Sequence, residues 1–560
     1  MTSITSVLSC NELLRMIFQE LKPVYLGQEV LNTATPTEVE VCTIASRRQA
    51  QRDLASAARV CRAFTEHVLD ALWEVLEGIL PLLKVLPLYK SRSPPLDVFS
   101  RITTGDWDRL RSYSRRVKEL HHNWRNVDCI RPSVLPILIS KCGGTPLFPR
   151  LQRLKALSLN DETTAYTIPL LSATLQSVTV SFETYDDDLS TANRDDFEMM
   201  LSALHVTSPG LRELVLLEES GSTFNLDERH IKSLSDFPHL QRFASHVALD
   251  PAAWLKIGTL RSLHYLDIAI QQWGATSDTC SLALPDLQSL TLRGPLNVLA
   301  AFLGQLESPG LRSVSFMVHA YPSPTPASLG DFFNLTKDRL PYTLHKLAMN
   351  CKSGGKPWRG QDRLYASLKT FLTPLASFTQ LDDLSLDLGE VAVHVSDDDI
   401  RTLSSALPRL VSLTLRYALG FHFAVPSGRP TIGALVALAA GCPHLTRLHL
   451  ADLDIDADAD SKSDASAEPA KNAEVSALDH NLRELEFVSF RTKTQQGVFD
   501  FAEKLDRLFP NLVNVRSRDA GAGSVGSGCQ SSPWDVAKAC LGFMQNARRN
   551  NRRVASVVVA

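Results

Sequence analysis

The chain has 560 residues, 44% of them apolar and 21% charged, with a formal net charge of −3. These are the proportions of a soluble folded protein. Such a balance supplies no bulk basic field, so neither a nucleic-acid partner nor an anionic membrane surface is expected. The longest apolar stretch, Leu69 to Leu88, is broken by Asp70, Glu74, Glu77 and Lys84, so no span of about 20 apolar residues is predicted.

Residues 1–21 lack a basic segment and a continuous apolar run, which predicts no secretory signal. The ten cysteines run from Cys10 to Cys540 without a C-x-x-C pair. They read as reduced core thiols, which places the protein in the cytoplasm and/or nucleus. No H-E-x-x-H, G-x-S-x-G or Walker loop occurs. No catalytic residue, metal or cofactor is therefore expected, and the chain reads as a non-enzyme.

In chain order, the first element is a helix with Leu13, Leu14, Ile17, Phe18 and Leu21 on one broad apolar face, opened by the S-x-x-E capping box Ser9–Glu12. A polar, helix-poor insertion follows at about residues 22–50. A second helix carries Asp53, Leu54, Ala57, Val60, Cys61 and Phe64. A third runs from Thr65 to Leu80 with Val68, Leu72, Trp73 and Leu76 on its apolar side. Residues 81–147 read as a helical linker and N-terminal cap, with a capping strand at Val117–Leu120.

From about residue 148 to 516 the motif L-x-x-L-x-L recurs, with Val, Ile, Phe or Met allowed at its apolar positions. The first copies are Leu154-Leu157-Leu159, Leu175-Val178-Val180 and Leu211-Leu214-Leu216. The last complete one is Leu482-Leu485-Phe487. Two copies, Leu240-Phe243 and Leu512-Val515, lack the third apolar residue. In all there are thirteen copies, spaced by 21 to 37 residues. A proline stands two residues before the first leucine in seven of them, at 209, 238, 285, 309, 408, 443 and 510. Proline ends a helix and favours an extended predecessor, so each unit is predicted as helix, break, short strand. Thirteen copies in series resemble the leucine-rich-repeat family of the long, irregular type. That resemblance implies an α/β solenoid shaped as a horseshoe, with a parallel sheet inside and helices outside. The asparagine usual just beyond the motif is mostly absent, with Glu219 and Gly389 in such places.

An acidic, disordered insertion is predicted at about 452–475 and a flexible Gly/Ser linker at 517–532. The linker holds a G-x-G-x-x-G match at 521–526, but no acidic residue lies about 20 positions on for a ribose. Residues 533–560 read as a C-terminal cap or tail, and its cluster Arg548, Arg549, Arg552 and Arg553 as solvated.

The N-terminal 80 residues resemble an F-box, through Leu8, Leu13, Leu14, Ile17, Phe18 and Leu21, then Leu54, Val60, Cys61 and Phe64, then Leu72 and Trp73. Ser9 stands where that family usually has proline. With the repeats, the whole is similar to the fungal class of F-box-like proteins with divergent leucine-rich repeats. The resemblance implies an all-α module whose twelve named residues bind a Skp-type adaptor, and through it a cullin. The chain would then be the substrate-recognition subunit of a ubiquitin ligase. The alternative is a repeat scaffold without a ubiquitin role, its N-terminus serving as a cap. Strand positions facing away from the core would present the target protein with Glu213, Arg242, Tyr265, Asp267, Arg293, Lys346, Asp383, Asp387, Arg416, Arg447, His449, Glu484 and Glu486. Their sign alternates along the chain, which favours a protein target over a nucleic acid.

Overall fold

The computed structural model describes residues 10–22, 38–86, 102–121, 134–143, 145–159, 168–182, 190–218, 225–271, 281–320, 325–353, 366–418, 429–455, 480–491, 495–517 and 533–559. They divide into two compact units, Met1–Val247 and Ala248–Ala560.

The first unit opens with three helices, α1 (Asn11–Glu20), α2 (Glu38–Ala57) and α3 (Arg62–Trp73). Ser9 lies outside the described residues. Cys10, not Ser9, is the N-cap of α1, and its side chain makes no capping bond. The helix α2 begins at Glu38 and so takes in the later part of the stretch expected to be helix-poor. The third helix stops at Trp73. Beyond it, Val75–Leu76 forms β1, a strand where a helix to Leu80 was expected.

From β1 the unit continues as a parallel ladder through β2 (Glu119–His121), β3 (Arg153–Leu159), β4 (Ser177–Phe182), β5 (Glu213–Glu218) and β6 (Arg242–Leu249). Leu76, Leu120, Leu154, Val178, Leu214 and Phe243 stand side by side in register, and all are buried. Side chains alternate along a strand, so one shared register puts every second apolar residue on the core side. Full burial of each such leucine stabilises by about 1.5–3 kcal/mol relative to exposure.

The second unit repeats the arrangement. Its ladder runs β7 (Tyr265–Ile270), β9 (Ser289–Gly294), β11 (Ser313–Ala320), β12 (Lys346–Ser353), β14 (Asp383–His394), β15 (Ser412–Ala418), β16 (Arg447–Asp454), β17 (Glu484–Arg491) and β18 (Asn514–Ser517). Short strands β8 (Leu282–Ala283) and β10 (Leu306–Glu307) pair with each other, and β13 (Ala366–Ser367) pairs with β14. The helices Leu296–Gln305, Pro326–Arg339, Leu368–Leu375, Asp397–Ala406 and Ile432–Gly441 pack each against the next. Asp397–Ala406 is capped as its sequence predicts, with Ser396 and Asp399 forming a capping box. Each unit is thus a leucine-rich-repeat array of mixed α/β structure.

Two backbone devices hold the register. At each step within a unit, one carbonyl accepts two successive N–H groups from the next copy. Arg212 and Glu213 donate to Gln176 at 2.8 and 2.9 Å, and Gln241 and Arg242 to Arg212 at 2.8 and 2.9 Å. The second device is a four-residue turn that delivers the chain into each strand. Leu211 N–H donates to the Ser208 carbonyl, Leu311 to Ser308 and Leu445 to Cys442. The recurrent proline is the second residue of this turn, where its fixed φ is preorganised.

The same turn corrects the first repeat. Leu151 N–H donates to the Phe148 carbonyl, with Pro149 between them. Leu154 pairs with Val178, and a bulge places Leu157 opposite Val180. Leu151 is therefore the first apolar position, and Pro149 is an eighth turn proline.

The absent asparagines have a substitute at this turn. Side chains at its corner donate to the preceding turn: Ser172 Oγ to the Leu151 carbonyl (2.9 Å), Ser208 Oγ to Ser172 (2.8 Å) and Ser308 Oγ to Leu284 (3.0 Å). Otherwise these buried carbonyls would lack a second partner.

Candidate interaction surfaces

The F-box-like residues separate into two sets. Leu14 and Phe18 from α1, Leu54 from α2, and Val68 and Ala71 from α3 make one buried cluster. Phe64 and Leu72 pack against it, with the Phe18 and Phe64 rings edge to face at 5.2 Å. These residues hold the three helices together and are not presented to a partner. Cys61 is the half-buried N-cap of α3. Trp73 lies against Tyr113, ring centroids 4.6 Å apart. Leu8 lies outside the described residues.

The other set is exposed. Leu13, Ile17 and Leu21 keep 42%, 47% and 49% of their surface in solvent, and their i, i+4, i+8 spacing makes them one row along α1. Met16, which the motif did not single out, is 65% exposed beside that row, and Val60 at the end of the α2–α3 turn is 69% exposed. The signal for Met16 was available in its helical spacing from Leu13. Large apolar side chains grouped on one surface commonly mark an interaction site.

The strand positions of the two ladders form the second surface, and several of its charges pair with one another. In the first unit, Arg153 Nε reaches Glu119 at 2.5 Å, Ser177 Oγ donates to Glu213 at 2.8 Å, and Arg242 Nε lies 2.9 Å from Glu213. Glu119 also holds His121 and Lys155, at 2.6 and 2.7 Å. Burial would raise the Glu119 pKa, but hydrogen bonds from His121, Lys155 and Arg153 hold it well below the usual carboxylate range.

In the second unit, Asp267 was expected on the exposed face. It is buried, and Arg293 grips both its oxygens at 2.9 Å. Lys346 pairs with Asp383 at 3.1 Å. Arg416 lies between Asp387 (4.0 Å) and Glu486 (3.2 Å). Opposite charges thus pair between adjacent strands at Lys346–Asp383 and Arg416–Asp387, and across the intervening β16 at Arg416–Glu486. His449 is 3.8 Å from Glu486, but burial lowers its pKa against that carboxylate's pull. Arg447 and Lys346 are exposed, while Tyr265 and Glu484 are half-buried. Asn514 Nδ2 donates to Glu484 at 3.4 Å.

Other sequence signals resolve as follows. Asp452, read as the start of the acidic insertion, is a buried residue of β16 whose carboxylate meets Arg429 at 2.7 Å. Residues 456–479 and the Gly-rich match at 521–526 lie outside the described residues. Arg548, read as solvated, belongs to the helix Pro533–Val559 and pairs with Asp506. Among the described residues, no group of His, Cys, Asp or Glu is arranged to hold a metal ion, and no helix is long and apolar enough to cross a membrane.

No model of a known protein family matches the chain, and none of the curated proteins does. Among solved structures it is similar to the complex of Rad7 and Elc1 in yeast, at 13% identity over 86% of this chain and 93% of that one, with a TM-score of 0.30. It is also similar to an LRR protein of Leptospira interrogans, at 12% identity over 73% of this chain and 97% of that one, TM-score 0.31. A protein from Bacteroides fragilis matches at 13% identity over 49% of this chain and 66% of its own, TM-score 0.29. Likeness at this level carries neither a partner nor an activity to this chain.

Proposed function

We propose that the chain is a non-enzymatic substrate-recognition adaptor of a Skp/cullin/F-box type ubiquitin ligase. In this reading the outer row of α1 docks on the Skp-type adaptor, and the exposed strand face receives a target protein. The observation that carries it is the division of α1. Leu14 and Phe18 are spent on the helical core, while Leu13, Ile17 and Leu21 remain outside it in one row. A helix that only capped the array would gain nothing from that second apolar row. An amphipathic partner groove would, because apolar anchors at i and i+4 are what such a groove reads.

The test uses the full chain and a purified Skp-type adaptor. Leu13→Asp with Ile17→Asp should abolish co-precipitation, while circular dichroism and the melting temperature stay near the parent values. Undiminished recovery of the adaptor by this folded variant would sink the docking reading.

A second reading, a repeat scaffold without a ubiquitin role, also has a specific observation behind it. The strand β1 follows α3 directly and pairs with β2, so the helical module ends in the ladder itself. That is what a cap would do, because an end repeat exposes one side of its core. In that case the same double variant would alter no partner, and variants of Leu14 or Phe18 would destabilise the array.

A further inference from the structure

A cleft of about 340 Å³ lies in the first unit, walled by α1, α3 and the segments that lead into β2 and β3. Six cationic side chains line it: Arg15 and Lys22 at α1, Arg115, Arg116 and Lys118 ahead of β2, and Arg150 ahead of β3. The carboxylates facing them are Glu12, Asp70 and Glu74. Glu74 is taken up by Lys22 at 2.5 Å and Lys118 at 3.6 Å. Asp70 is engaged by Arg116, which also meets Glu66 at 2.5 Å. His67 is joined to Asn11 across the same wall at 3.2 Å. Arg15, Arg115 and Arg150 then make no ion pair with a carboxylate among the described residues, though the charge of Arg115 helps to lower the Glu66 pKa.

Arg116 builds the wall that carries them. Its side chain is only 7% exposed and is held by Glu66 and Asp70, so it is fixed in place beside the exposed Arg115.

We propose that this cleft binds a compact polyanion carrying two or more linked phosphate groups. Guanidinium groups match phosphate oxygens in paired hydrogen bonds, which an ammonium cannot do. The three arginines outside any ion pair come from two separate parts of the chain, α1 and the strand entries, so one ligand with several anionic groups would bridge them. A cleft of this size takes a small molecule and excludes a folded partner. Low-dielectric walls of one dominant sign concentrate anions further. The proposal does not depend on the adaptor reading.

Isothermal titration of the full chain with inorganic tripolyphosphate tests it, with orthophosphate in parallel. Saturable one-site binding of tripolyphosphate is expected, weakening as salt rises. Orthophosphate should bind at least about tenfold more weakly, since it offers one group for several cations. Arg115→Ala with Arg150→Ala should also weaken tripolyphosphate about tenfold or more. Both side chains are exposed, so the variant's melting temperature without ligand should be unchanged. Arg15→Ala provides a second, separate arm with the same expected direction. The control is Arg261→Ala with Arg447→Ala, two exposed arginines of the other unit. The proposal is overturned by absence of saturable binding, by equal affinity for the two phosphates, or by equal weakening in variant and control.

Discussion

His480 Nε2 donates to the carbonyl of Cys442 at 2.9 Å, across 38 residues of chain, while its Nδ1 accepts the N–H of Leu482 at 3.1 Å. His480 stands two residues before the first leucine of its repeat, where most copies have proline. In those copies the leucine N–H is satisfied by the carbonyl that opens the turn; here an imidazole takes that role. Within the second unit the ring adds to the turn-to-turn contacts that Ser308 makes to Leu284 and the Cys442 thiol to the Leu407 carbonyl. Asn511 continues these contacts by donating to the His480 carbonyl at 3.2 Å.

This arrangement requires a neutral ring, since Nδ1 must accept. Burial lowers the His480 pKa below its ordinary value, partly offset by the bond to Cys442. A depressed folded-state pKa means that the contribution to stability is complete above about 6.5, the unfolded value. It is lost as pH falls from there toward the folded pKa, because only the unfolded chain gains the proton in that window. Urea unfolding midpoints at pH 7.5, 6 and 5 should fall more steeply for the parent than for His480→Gln. Parallel curves would show that the ring does not titrate in this way. At pH 7.5, His480→Ala should cost about 2–4 kcal/mol, because a buried donor and a buried acceptor both lose their partner.

The two faces of α1 should respond differently to truncation. Phe18→Ala removes a ring from the three-helix core and should destabilise by about 3–5 kcal/mol, and Leu14→Ala by about 2–5 kcal/mol. Ile17→Ala and Leu21→Ala remove half-exposed groups and should stay within about 1 kcal/mol of the parent. Chemical denaturation followed by far-UV circular dichroism measures all four. A cost for Ile17→Ala comparable to that of Phe18→Ala would mean that the outer row is packed in solution.

These cases show what the sequence could and could not reveal. The ladder was legible because alternation and the proline turn signal the same register at many sites. It slipped at the first copy because the bulge in β3 lets Leu154-Leu157-Leu159 imitate a motif whose true first residue is Leu151. The strand at Val75–Leu76 was hidden because two residues carry no periodicity, and Leu72, Trp73 and Leu76 also suit a helix. A broad apolar face on α1 was visible. Which half of it is buried depends on where Leu54 and Val68 arrive, and no local pattern encodes that. Alternation along each strand suggests an open-face position for the strand charges, yet Asp267 is buried. Their mutual pairing depends on the order of the strands in the sheet, which the spacing of charges along the chain does not encode.

Gly389 shows why the usual asparagine is missing at one step. Its φ is +58°, and a Cβ there would stand 2.2 Å from the Cys351 carbonyl oxygen. The left-handed conformation alone costs a non-glycine residue about 1 kcal/mol or more. The clash is with backbone, which cannot swing aside. Gly389→Ala should therefore lower stability by about 2–4 kcal/mol, well beyond an exposed-loop substitution. Retention of the parent melting temperature would show that β12 and β14 can part at this point without cost.

The ion pairs on the strand face should be unequal in value, in an order set by burial and geometry. Asp267 is buried and meets Arg293 through two hydrogen bonds, whereas Lys346 and Asp383 make a single contact with Lys346 exposed. Solvent screens an exposed pair to about 0–1 kcal/mol, and salt weakens it further. A bidentate guanidinium–carboxylate pair held by burial resists both effects. Breaking it from one side strands Asp267 without its partner. Arg293→Ala should accordingly cost about 2–3 kcal/mol. A double-mutant cycle on Asp267 and Arg293 should give a coupling energy that changes little between 50 mM and 500 mM salt. The same cycle on Lys346 and Asp383 should give under about 1 kcal/mol and approach zero at the higher salt. If the two cycles gave the same coupling and the same salt dependence, burial would not be what distinguishes them. The strand face would then be uniformly solvated, and Asp267 would join the residues free to meet a partner.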